Sequence, residues 1–183
     1  MKNLNDIACV ELVLGGDTEA FAILVGRYSG KVFPLIERIC GNREDAEELT
    51  QDAFVKAYEH LHKFRRESTF STWIYRIAYN TAISHTRKRH FRMGEWQDER
   101  MKTDELLFLP EEGPEEKEEQ LQRLEQALEA LPPDDRALVL LYYHEDRPVG
   151  EIARITGLSE SNVKTRLHRI RKRLGILYDE KIV

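Results

Sequence analysis

Apolar residues recur at three- and four-residue spacing along most of this chain, and no stretch alternates with the period of two that a half-buried strand requires. Phe21, Leu24, Val25, Tyr28, Val32, Leu35, Ile36 and Ile39 form the first stripe. Asp17 stands where an N-cap starts that helix, and Pro34 within it predicts a kink. Gly41-Asn42 reads as the end of this helix and the cap of the next, which buries Ala46, Leu49, Ala53, Phe54, Ala57 and Leu61. Ser68 or Thr69 caps a further helix, with Phe70, Trp73, Ile74, Ile77, Ala78 and Thr81 on one side. Tyr75, Arg76, Tyr79, Asn80 and Arg87 fall elsewhere on its circumference and are expected at the surface. Residues 1–93 should therefore form a domain of three to four helices.

Residues 94–117 lose the period and contain Gly94, Pro110, Gly113 and Pro114, the composition of a flexible linker. Helical spacing resumes at Leu121, Leu124, Leu128 and Leu131, stops at Pro132-Pro133, and restarts through Ala137, Leu138, Leu141 and Tyr142. Ile152, Ala153 and Ile155 then mark a short helix ended by Gly157, where a left-handed residue is needed. Ser159 stands at the N-cap of a last helix striped by Val163, Leu167, Ile170 and Leu174. Residues 118–183 thus make a second domain ending in a helix-turn-helix. The fold class is all-α, with two small helical domains joined by an acidic linker.

Charge changes the picture from architecture to partner. The formal net charge is −5, but it is segregated. Residues 85–93 hold four Lys or Arg and no acid, and no acid occurs from Ser161 to Tyr178. Residues 94–119 hold eleven acids against three bases. Two cationic modules on either side of an acidic connector suit a nucleic-acid partner better than a uniform surface does. The last helix carries Lys164, Arg166, His168, Arg169, Arg171, Lys172 and Arg173 opposite its apolar stripe, the form that fits a DNA major groove. A repressor, an activator and a polymerase subunit all satisfy this feature, as does a module whose basic helix binds an acidic protein.

Other classes are disfavoured. No apolar run is long enough to span a bilayer and no signal segment opens the chain, so a cytoplasmic protein without membrane insertion is expected. Cys9 and Cys40 form no CxxC motif, and the six histidines show no metal-ligand spacing. No nucleophile–base pair, phosphate-binding glycine loop or metal cluster appears, so neither an enzyme nor a cofactor is expected.

The segment from Phe64 to Arg89, FRRESTFSTWIYRIAYNTAISHTRKR, joins aromatics, short polar residues and cations on one helix and its leading loop. Such a set can track phosphates, stack unpaired bases and hydrogen-bond a base edge. With GDTEAFAILVGRYSGKVF, EDAEELTQDAFVKAYEHLHKF, LPPDDRALVLLYY and EIARITGLSESNVKTRLHRIRKRL, in this order and spacing, the chain resembles the extracytoplasmic-function (ECF) sigma factors. These are the small two-domain group of bacterial sigma factors.

The resemblance implies a subunit that binds core RNA polymerase at its clamp helices and flap, recognises promoter DNA and is held by an anti-sigma factor. It implies that Glu48, Gln51 and Asp52 face the polymerase clamp. It implies that Phe64, with the loop to Ser68, and Arg76 and Asn80 capture a flipped base at the minus-10 element, while Lys88 and Arg89 hold nearby backbone. Lys164, Thr165, His168 and Arg169 match positions that face the minus-35 element, and Arg166 and Arg171 are expected on phosphates. The alternative is a conventional helix-turn-helix regulator that acts without being a polymerase subunit. One departure is Pro148, followed by Gly150, where relatives have a small polar cap. A loose start to the supporting helix is expected there.

Overall fold

The computed structural model describes residues 4–92 and 117–174. Its regular elements are helical, with no strand among the described residues. The linker expected over 94–117 lies outside those residues, except for Lys117. The chain divides into two units near Thr86.

The first unit holds α1 (Asp6–Leu14), α2 (Ala20–Cys40), α3 (Arg43–Glu59) and, up to Thr86, α4 (Phe70–Arg92), with a 3-10 turn at Leu61–Lys63. Helix α1 is short and was not marked by the apolar spacing. Asn5 caps it, its side chain accepting from the Ala8 amide at 2.8 Å, and it buries Cys9, Val10 and Val13. Asp6 fastens it to α2. Tyr28 Oη donates to Asp6 Oδ2 at 2.5 Å, Arg27 pairs with Oδ1, and Arg27 also donates to the Leu4 carbonyl at 2.7 Å. The hydrogen bond to Asp6, more than its charge, holds the Arg27 guanidinium above its ordinary range.

Asp17 does not cap α2. The carbonyls of Asp17, Thr18 and Glu19 accept from Ala20, Phe21 and Ala22 in a tight i to i+3 turn, so backbone takes the amides a capping side chain would have taken. Pro34 lies inside α2 without ending it. The stop is Gly41, whose φ of 69° is the left-handed conformation that a Cβ disfavours. Asn42 then caps α3 by accepting from Asp45 at 2.8 Å. Helix α4 is buried on most of its circumference, through Phe70, Thr72, Ile74, Tyr75, Ala78, Tyr79, Ala82, Ile83 and Thr86. Tyr75 and Tyr79, expected at the surface, are 0% and 6% exposed and belong to the core. Thr69 supplies its cap, accepting from the Thr72 amide at 3.1 Å.

The second unit holds α5 (Lys117–Glu129), α6 (Pro133–Val139), α7 (Val149–Thr156) and α8 (Glu160–Arg173); α6 runs on as a π-helical turn over Leu140–His144. Its buried residues include Leu131, Leu138, Leu141, Ile152, Val163, Leu167 and Ile170. Gly157 ends α7 at φ 76°, and Ser159 caps α8 by accepting from Asn162 at 3.2 Å. Pro148 is the N-cap of α7 and makes no side-chain cap bond. The start of α7 is nonetheless bonded. The Pro148 carbonyl accepts from Glu151 at 2.9 Å and Ile152 at 3.1 Å, and Arg147 pairs with Glu151 at 3.0 Å.

Candidate nucleic-acid interface

Three surfaces follow from which residues these helices leave uncovered. On α4 the exposed positions are Arg76, Asn80, Ser84, Arg87, Lys88, Arg89, Phe91 and Arg92. Arg76, Asn80, Ser84 and Lys88 stand four residues apart, so they form one ridge along the helix. No acid occurs from Phe70 to Arg92, so nothing on the helix itself opposes a phosphate there. The aromatic surface expected of Tyr75 and Tyr79 is offered instead by Phe91, which is 75% exposed beside Lys88 and Arg92.

Phe64, expected against a base, is buried. Its ring lies 5.8 Å from Phe70 and 5.3 Å from Trp73 between centroids. Three rings packed this way need no base, and they fix the path of the loop from Arg65 to Thr69. Within that loop Arg66 adopts φ 61°, and its guanidinium meets Glu11 on α1 at 2.9 Å. Both partners are about half exposed, so the pair guides the loop more than it stabilises the fold. Thr69 ends the loop as the α4 cap, and Asn80 follows it by eleven residues, about 16 Å along the axis at 1.5 Å per residue.

Beyond its first turn, where Glu160, Ser161 and Asn162 are exposed, α8 exposes Lys164, Thr165, His168, Arg169 and Lys172. Thr165 Oγ1 donates to the Ser161 carbonyl at 2.9 Å, which turns the rest of its side chain outward. Two residues expected on phosphates stand differently. Arg166 is half-buried and its Nε donates to Asp135 on α6 at 2.9 Å. Arg171 is also half-buried and engaged within the protein, so neither is a free cation on the outer face. Lys172, absent from the expected minus-35 set, is exposed on the same side of α8. Its spacing of three from Arg169 and four from His168 was the signal.

The third surface is on α3. Glu48, Gln51 and Asp52 are all exposed, with Val55 at 55% and Glu59 continuing the same side. Apolar and acidic groups together on an uncovered helix suit a protein partner that carries cations.

Among the described residues no group of three or more His, Cys, Asp or Glu is placed to hold a metal ion, and no helix is long and apolar enough to cross a membrane. Burial pushes the Cys40 thiol above its ordinary range, so it stays protonated and unreactive near neutrality.

The family described as Sigma-70 region 2 matches residues 24–92, and that described as Sigma-70, region 4 matches residues 121–174. The ECF RNA polymerase sigma factor SigW of Bacillus subtilis (strain 168) is 33% identical over 175 residues, covering 90% of this chain and 92% of SigW. The ECF RNA polymerase sigma-E factor of Escherichia coli (strain K12) is 32% identical over 186 residues, covering 93% of each. Among solved structures, CnrH in complex with the cytosolic domain of CnrY is similar at a TM-score of 0.65 and 23% identity, over 91% of this chain and 92% of that one. The sigma factor RpoE of Bartonella quintana, in complex with the anti-sigma factor NepR, matches at a TM-score of 0.62 and 20% identity, over 86% of this chain and 98% of that one. These two likenesses establish the fold.

Proposed function

The chain belongs to the extracytoplasmic-function sigma factors of bacterial RNA polymerase, and we propose that it divides promoter recognition between the outward ridges of α4 and α8. The observation that carries this reading is common to both helices. Each buries most of its apolar residues and leaves exposed a row of cations and short polar side chains, Arg76 to Lys88 on α4 and Lys164 to Lys172 on α8, in which no acid stands.

The α4 ridge takes the minus-10 element. Asn80 and Arg76 offer amide and guanidinium edges to a base turned out of the stack, and Lys88 and Arg89 meet the adjoining phosphates. Phe91 gives unpaired bases a stacking surface at the end of the ridge. Phe64 acts from the core by fixing the loop to Ser68. The α8 ridge takes the minus-35 element, with Lys164, Thr165, His168 and Arg169 turned to base edges and Lys172 to phosphate. The domains behind this division are residues 1–93 and 118–183, with 94–117 between them.

Glu48, Gln51 and Asp52 dock on the polymerase clamp helices, and the second domain meets the flap. The partners are therefore core RNA polymerase and promoter DNA. The site of action is that of the polymerase, in the cytoplasm, and as in other sigma factors the chain contributes no catalysis of its own. An anti-sigma factor is the regulating partner, a reading supported by the similarity to RpoE bound to NepR.

Reconstitution tests the whole reading. Core polymerase with this chain is offered genomic fragments, and specific start sites are collected by run-off transcription. Transcripts that share two upstream elements at constant spacing are expected. Tight binding of duplex DNA without polymerase, and no specific start with it, would favour a conventional helix-turn-helix regulator.

A further inference from the structure

Asp135 lies under the recognition helix, and we propose that it is a positioning residue: with Arg166 it forms a clamp that sets the roll of α8 about its axis, and neither residue touches DNA. The inference rests on α8 being the reader of the upstream element. Arg166 donates from Nε to Asp135 Oδ1 at 2.9 Å, and its terminal nitrogen donates to the same oxygen. The two side chains are 22% and 19% exposed, so water competes for the pair only in part.

The placement follows from spacing. Arg166 comes three residues after Val163 and four before Ile170, which are 0% and 3% exposed, so it sits on the shoulder of the buried stripe. Thr165, His168, Arg169 and Lys172 lie on the opposite side. Asp135 is in the first turn of α6, where the helix dipole favours a carboxylate. The next residue, Arg136, reaches the other neighbour. It donates to the carbonyls of Leu128 at 3.0 Å, Leu131 at 3.1 Å and Glu129, where α5 ends. One turn of α6 thus grips α5 through Arg136 and α8 through Asp135.

A clamp has a purpose here that the apolar seam cannot serve. Burial of Val163, Leu167 and Ile170 is non-directional, so it decides which side of α8 faces inward but not the last few degrees of roll. Base readout needs side chains held within about 10–20°. A planar guanidinium on a fixed carboxylate supplies that angular restraint, because its donors are rigidly forked.

The test uses holoenzyme made from core polymerase and the full chain. It measures affinity, over a series of salt concentrations, for a duplex promoter obtained by run-off selection and for the same duplex with its upstream element scrambled. Asp135→Asn and Arg166→Gln are each expected to weaken the intact promoter about tenfold, the worth of a charge-assisted pair. Neither should change the salt slope or the affinity for the scrambled duplex. The double variant should be no worse than either single one, because both remove the same restraint. Exchanging the residues, Asp135→Arg with Arg166→Asp, should recover part of the loss.

Opposite results overturn the clamp. If Arg166 meets a phosphate, Asp135→Asn will tighten binding and Arg166→Gln will flatten the salt slope by about one. If the pair only supports folding, both duplexes will weaken equally and the exchange will recover nothing specific to the upstream element. Arg169→Ala separates this failure from a failure of the wider reading. An Arg169→Ala variant that still discriminates the scrambled duplex removes α8 as the reader. One that loses discrimination while Asp135→Asn stays neutral removes only the clamp.

Discussion

Helices α4 and α8, the two proposed DNA-facing helices, expose similar chemistry but are held in opposite ways. Under α4 the support is aromatic: Phe64, Phe70 and Trp73 pack together at its start, and Tyr75 and Tyr79 are buried farther along. Under α8 the apolar stripe is aliphatic, and half-buried arginines flank it at positions 166, 171 and 173. In each helix, residue types that commonly contact nucleic acid are divided between the surface and the fold. Angular position on the helix, not residue type, decides which job each one has.

The largest effect should come from breaking the aromatic side of that comparison. Tyr75→Ala removes a ring with 0% exposure, and truncating a buried aromatic costs about 3–5 kcal/mol. Denaturant melts of the first unit's signal should show that loss before any promoter assay is run. A Tyr75→Ala chain of normal stability with impaired opening would return Tyr75 to the DNA face.

Next in size are paired substitutions on the two ridges. Asn80→Ala should slow opening of duplex promoters more than of pre-melted ones, because a base-edge contact worth about 1–3 kcal/mol is made only after the base leaves the stack. Arg169→Ala should weaken upstream recognition on both templates by a similar amount. Equal losses in every assay would show that both residues merely support their helices. Lys172→Ala should cost less. It should lower affinity for all sequences alike and reduce the salt slope by about one, the mark of a single phosphate contact; a sequence-selective loss would move Lys172 to a base edge.

Sequence spacing made the punctuation of this fold legible. Gly41-Asn42, Thr69, Gly157 and Ser159 each occupy the stop or cap that residue type and position indicated, because those roles depend on local backbone chemistry. What stayed hidden depends on neighbours. A single stripe assigned to α4 could not show that the helix is covered on most sides, so Tyr75 and Tyr79 read as surface. The side chain of Asp17 lost its role to the backbone carbonyls of Asp17, Thr18 and Glu19. Helix α1 is short, and its attachment relies on Asp6 meeting Arg27 and Tyr28 more than twenty residues away. The half-buried place of Arg166 was legible, since its spacing from Val163 and Ile170 puts it on the shoulder of the core.

The same contrast reaches the helix starts, where the expected effect is smallest. Thr69 caps α4 with a side-chain oxygen, whereas α7 begins at Pro148 with none and carries Gly150 in its first turn. Replacing Gly150 by Ala should reduce the freedom of the unfolded chain and favour the helix, by up to about 1 kcal/mol in a helix interior and less at its first turn. A Cβ there would lie 3.2 Å from Glu160 Oε1, tight contact with the end of a flexible side chain that can turn aside. Gly150→Ala is therefore expected to stabilise the second unit by about 0.5 kcal/mol, read as a small upward shift in its denaturant midpoint. Minus-35 discrimination should be unchanged, because the substitution lies on the supporting helix and leaves the α8 ridge intact. A fall in stability would instead mean that Glu160 is held in place at the head of α8 and that the two helices of the motif share a tighter junction than their caps alone provide.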